Sequence, residues 1–160
     1  MGGVLMDYYP VVDHRPVTMQ CVLNAAIQRN VPANVLLAIE QIEGGSLGLA
    51  KPNKNGTLDF GPWQINSTHL KELSDYGVPK EVSKYYLMHD GCYGAEYAAY
   101  RLQKCFADPD LQGKGFWTRA ACYHSKTPKY NLIYQGKLRP LSEKWGAWLS
   151  QHFTVKEIQP

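Results

Sequence analysis

The segment from Pro32 to Glu43 constrains the fold of this chain more than any other. Val35, Leu36, Leu37, Ala38, Ile39 and Ile42 crowd into it, so apolar side chains would cover most of the circumference of a helix. Such a helix belongs inside a core. Val31-Pro32 marks its start, with Pro32 suited to a first helical turn, and Gly44-Gly45 marks its stop. Glu43 then falls at the C-terminal end of a buried helix, where the helix dipole disfavours negative charge. A carboxylate in that place needs a chemical reason.

With 160 residues the chain can build one core and little more. Thr18 can cap a helix running to Asn30, with Cys21, Val22, Ala25, Ala26 and Ile27 on roughly one face. Asn66 or Ser67 can cap a short helix toward Ser74, and Pro79 to Tyr85 supplies another turn or two. His89 to Phe106 reads as a helix whose Ala95, Ala98, Ala99 and Leu102 permit close packing. Gly115–Ser125 and Ser142–Phe153 read as two more, the last with Trp145, Trp148 and Leu149 on its apolar face. Ser46 to Gly56, rich in Gly, Lys, Asn and Pro, reads as a surface loop, and Thr57 to Phe60 as a short strand before the Gly61-Pro62 turn. The expected fold is mainly α, a single helical domain over residues 17–153 with a very small β element near 57–60. An N-terminal arm (1–16) precedes it and a tail (154–160) follows.

Composition removes several functions. Hydrophobic residues at 44% and charged residues at 19% describe a globular chain. A formal charge of +3 without a basic run is too weak for a dedicated nucleic-acid binder, though it suits a polyanionic wall. No apolar stretch approaches the length that spans a bilayer, so no stable membrane insertion is expected. Met1 to Met6 lacks the basic flank and apolar stretch of a signal peptide, which points to a cytosolic chain or to one whose native signal has been removed. Cys21, Cys92, Cys105 and Cys122 show no CxxC and no zinc spacing, so neither a metal nor another cofactor is expected. Their even number fits two disulfides or four buried thiols. Eleven Tyr and four Trp suit a core, and also a cleft that binds sugars.

Three features then align: Glu43 at its helix end, the run Asp59-Phe60-Gly61-Pro62-Trp63-Gln64-Ile65-Asn66, and Ala121-Cys122-Tyr123-His124-Ser125. In order and separation they resemble the lytic transglycosylases of the lysozyme-like superfamily, nearest the small branch that accompanies secretion, conjugation and pilus assembly. The resemblance spans about residues 18–135. The family's helix ending in Glu-Ser is matched by Ala38 to Gly44, its Gly-Leu-Met-Gln-Ile-Asn by Gly61 to Asn66, and its Ala-Tyr-Asn or Tyr-His-Ser by Tyr123-His124-Ser125. Asp90 to Ala95 matches, in shortened form, a Cys-to-Gly-Ala segment. Gly44 replaces the family's Ser, and Pro62-Trp63 replaces Leu-Met, a change expected to reshape the cleft wall.

The resemblance implies a lysozyme-like α+β fold with a cleft running past Glu43, Gln64 and Tyr123. It implies Glu43 as catalytic acid/base, and Gly61, Gln64, Ile65, Asn66, Asp59 and Tyr123 around the substrate. The implied reaction cuts the bond from N-acetylmuramic acid to N-acetylglucosamine and closes a 1,6-anhydro ring. Peptidoglycan glycan strands would be the partner, with secretion-system or pilus components beside them, and the chain a monomer in the periplasm or outside the cell. The same branch implies disulfides Cys21–Cys92 and Cys105–Cys122. Two other outcomes stay open: a hydrolytic muramidase on the same fold, in which Asp59 assists, and an inactive peptidoglycan-binding scaffold. Glu40 is the competing carboxylate, expected on the surface or behind Glu43, and His124 is expected to be an ordinary polar neighbour.

Overall fold

The sequence from Ala33 to Glu43 forms a helix, and every residue of it from Ala33 to Ile39 is buried. In the computed structural model, which describes residues 14–153, this helix (α2) follows α1 (Met19–Arg29). Of the expected arm only residues 14–16 are described, and the tail at 154–160 lies outside the described residues. The fold is mainly α with a small antiparallel sheet, as the sequence leads one to expect. The described residues divide into two units, one of residues 19–43 and 95–153, the other of residues 14–18 and 44–94.

The helical unit holds α1, α2, most of α5 (Gly91–Ala107), α6 (Phe116–Ala120) and α7 (Pro128–His152). Its central contact is α2 along α7, with α1 also against α2. α7 begins at Pro128, well before the expected Ser142. Pro140 inside it removes one backbone donor and would ordinarily break a helix. Burial outweighs that cost: Asn131, Tyr134, Leu138, Ser142, Gly146 and Leu149 recur every three or four residues and are all buried. Asn34 Nδ2 donates to the Ser142 carbonyl at 3.2 Å, and Trp145 Nε1 donates to Gln41 Oε1 at 3.0 Å. Buried Asn131 ties the turn after α6 to α7, donating to the carbonyls of Thr118 at 3.0 Å and Ser125 at 2.9 Å. The Cys105–Cys122 disulfide, with Cα atoms 5.7 Å apart, fixes the end of α5 to that same turn. Cys21 and Cys92 are disulfide-bonded as well, and no cysteine is free. Two disulfides fit a chain that matures in an oxidising compartment. Among the described residues, no helix is long and apolar enough to cross a membrane.

The other unit carries the sheet. β1 (Ala50–Pro52), β2 (Leu58–Phe60) and β3 (Ile65–Asn66) pair antiparallel in that order, with Lys51 opposite Asp59 and Asp59 opposite Asn66. The strand expected near 57–60 is therefore the middle one of three. β1 comes from residues expected to be loop, because the turn at Asn53 to Gly56 folds them back on β2: Asn53 N donates to the Thr57 carbonyl at 2.8 Å, and Gly56 takes φ +85°. After β3 come a 3₁₀ turn (Ser67–His69), α3 (Leu70–Asp75) and α4 (Lys80–His89). Trp63 is 1% exposed and donates from Nε1 to the Gly91 carbonyl at 2.9 Å. It belongs to the core of this unit; the resemblance carries the expectation that Pro62-Trp63 reshapes the cleft wall.

Candidate active site

Glu43 is the last residue of α2, and Gly44 ends the helix with φ +55°. Its side chain is partly buried. Two hydroxyls of the helical unit respond to its charge. Burial pushes the Tyr123 hydroxyl far above the ordinary phenol range; the nearby Arg101 cation opposes the rise and the Glu43 carboxylate adds to it. Burial likewise raises Tyr134, with Glu43 the next largest cause and Tyr123 after it. Both rings are almost wholly buried, and the Tyr134 hydroxyl has no hydrogen-bond partner among the described residues. Both therefore remain protonated donors at any ordinary pH.

Arg101 and His124 frame this pair. The Arg101 guanidinium lies 4.4 Å over the Tyr123 ring and donates to the Tyr123 carbonyl at 2.8 Å, fixing the residue through both backbone and ring. His124 stacks on Tyr134 with ring centroids 4.8 Å apart and planes 4° apart. Burial, then the charges of Lys137 and Arg101, hold its imidazole below its usual pKa, so it is neutral. Glu40, one turn before Glu43, is half-buried, and burial raises its carboxyl above the usual range.

The remaining predicted residues lie in the sheet unit. Gly61 has φ +64°, and a Cβ there would run into the Leu87 carbonyl, so only glycine fits. Gln64 also has positive φ, at +50°, a costly conformation for a residue with a side chain. Its own amide stabilises the turn: Nε2 donates to the Gly61 carbonyl at 2.8 Å. Gly45, two residues after Glu43, is pressed against this turn. Its N–H donates to the Pro62 carbonyl at 3.1 Å, and a Cβ would strike the Gly61 carbonyl and come within 2.6 Å of Gln64 Nε2. Asp59 and Asn66 face each other across β2 and β3. Asn66 Nδ2 donates to Asp59 Oδ1 at 2.9 Å and to Thr57 Oγ1 at 3.0 Å, while its own oxygen caps Thr68 N–H at 3.1 Å. Ile65 is fully buried, which leaves only its backbone to meet a ligand.

Glu43 and Tyr123 thus share one unit, and Gly61, Gln64, Ile65, Asn66 and Asp59 the other. Arg101, Tyr134 and Gly45 are additions the sequence did not single out. Gly45 had a signal: one glycine suffices to end a helix, so a second in a row needs its own reason. Tyr134 and Arg101 had none, because their roles depend on which helices pack together.

No protein-family model matches the chain. Protein IpgF of Shigella flexneri is 31% identical over 108 residues, covering 67% of this chain and 66% of that protein. Protein IpgF of Shigella sonnei is 32% identical over 108 residues, with the same coverage. The chain thus spans 66% of the length of these curated relatives, just under two thirds.

Proposed function

We propose that this chain is a peptidoglycan lytic transglycosylase, related to those of the lysozyme-like superfamily. The supporting observation is Glu43 at the end of a buried helix, its charge felt by two buried tyrosine hydroxyls. Cleaving a glycosidic bond needs a proton for the leaving oxygen and stabilisation of an oxocarbenium-like centre. A carboxyl at the negative end of a helix dipole is disfavoured as the anion and can supply that proton.

Glu43 gives its proton to the oxygen that leaves with N-acetylglucosamine as the muramic acid C1–O bond breaks. The substrate's own N-acetyl oxygen bonds to C1 in the interim. The sugar's 6-hydroxyl then displaces it, returning its proton to Glu43 and closing the 1,6-anhydro ring. No water enters and no second carboxylate is needed. The protonated Tyr123 and Tyr134 hydroxyls are the groups that answer to the carboxylate's charge between the two proton transfers. The reading places the chain in the periplasm or outside the cell, where two disulfides persist. There it would open local gaps in the wall for a secretion, conjugation or pilus machine.

The test is release of soluble muropeptides from purified sacculi by the intact chain, and no release would sink the proposal. Tyr123→Phe separates site from scaffold. Phenylalanine keeps the buried ring under the Arg101 guanidinium, so the unfolding midpoint should change little. Loss of the hydroxyl on which the carboxylate's charge acts should slow release by roughly 10-fold. An unchanged rate would reduce Tyr123 to a packing role.

A further inference from the structure

Residues 14–16 are clamped to the junction of α4 and α5 by bonds that the proposed reaction does not use. Arg15 N–H donates to the His89 carbonyl at 3.0 Å, and Gly91 N–H donates to the Arg15 carbonyl at 2.7 Å. The Arg15 Nε donates to Asp90 Oδ1 at 2.7 Å, and the same oxygen accepts from the N–H groups of Cys92 and Tyr93 at 3.0 Å each. This clamp brings two histidines, 75 positions apart, into a hydrogen bond, one ring donating its N–H to the other with the Nδ1 atoms 3.1 Å apart. The ring of Tyr85, one turn earlier on α4, packs on His89 with centroids 4.7 Å apart. Gly48 backs the pair, since a Cβ there would stand 3.7 Å from Cε1 of either imidazole.

We propose that His14 and His89 form a two-imidazole chelate for a borderline transition-metal dication, Zn²⁺, Cu²⁺ or Ni²⁺. Bonds of about 2.1 Å from one ion to two nitrogens 3.1 Å apart would subtend roughly 95°, between square-planar and tetrahedral angles. Imidazole nitrogens select these ions, whereas Mg²⁺ and Ca²⁺ seek oxygen. The backbone clamp orients both ligands in advance, which lowers the cost of binding. Arg15 does not repel the ion strongly, because Asp90 pairs with it. Among the described residues no third His, Cys, Asp or Glu completes a cage, so water takes the remaining positions. The proposal is independent of glycan cleavage.

The experiment is calorimetric titration of the untagged full chain with ZnCl₂, and separately with CuCl₂, at pH 7.5. One equivalent should bind and raise the unfolding temperature with metal concentration. His14→Ala and His89→Ala should each weaken binding by more than the roughly 10-fold that loss of even an outer partner costs. His152→Ala, on α7, should bind like the native chain. Acidification, which protonates imidazoles and so removes the ligands, should release the ion. His14→Ala lies outside any helix and decides the matter if His89→Ala folds poorly. No saturable binding by the native chain, or undiminished binding by His14→Ala, overturns the proposal.

Discussion

Trp63→Ala is expected to destabilise the chain by about 3–5 kcal/mol, a large part of the stability of an ordinary domain. The indole is 1% exposed, and its removal leaves a cavity in the smaller of the two cores. Two further losses add to the cavity. The Gly91 carbonyl loses its donor at 2.9 Å, and Gly94, where a Cβ would stand 2.5 Å from Trp63 Cδ1, loses the surface it packs against. Trp63→Phe keeps most of the apolar volume and forfeits the N–H, so it should cost only about 1–3 kcal/mol for the orphaned carbonyl. Urea unfolding with disulfides intact checks both values. A loss below about 1 kcal/mol for Trp63→Ala would mean that this unit's core does not depend on the indole.

Glu43→Gln is expected to reduce muropeptide release by at least about 100-fold, the lower range of what a positioned general acid contributes. The amide keeps the shape of the side chain and removes both the proton donor and the later acceptor. The fold should not suffer. Glutamine is nearly isosteric with glutamate and relieves the clash of the charge with the helix dipole, worth about 0.3–1 kcal/mol, so the unfolding midpoint should move by no more than a few degrees while activity disappears. Glu40→Gln is the necessary companion. Its carboxyl is half-buried and raised by burial, properties a general acid also needs, yet it lies one turn back from the tyrosine hydroxyls' charged neighbour. Retained release by Glu40→Gln with loss in Glu43→Gln supports the assignment. The reverse pattern would transfer the acid role to Glu40.

Helix α2 was legible because its evidence is local: an apolar run, a proline at one end and two glycines at the other. The strand at β2 and the glycine turn at Gly61 were legible for the same reason. β1 was missed although Asn55-Gly56 is a hairpin signal, because Lys51 and Pro52 are exposed and show no alternating pattern. The first half of α7 was missed because Pro140 argues locally against a continuous helix, and the burial that overrides it requires α2 as a partner. Trp63 looked like a cleft residue because its motif neighbours suggested one, while its bond to Gly91 spans 28 positions. The chemistry divides in the same way. Glu43 stands out as a candidate in the sequence, since its oddity lies in its own helix. The tyrosine at 134 and the arginine at 101 do not, since their neighbours are distant along the chain.

The measurement that tests the proposed chemistry most directly is the mass of the muropeptides released from purified sacculi by the intact chain. Products one water lighter than reducing muropeptides, and resistant to borohydride, are expected, because the sugar's own 6-hydroxyl closes the ring. Ordinary reducing ends would contradict lytic transglycosylation. They would require an activated water and turn attention to Asp59, held by Asn66 at 2.9 Å, as the second carboxylate of a muramidase.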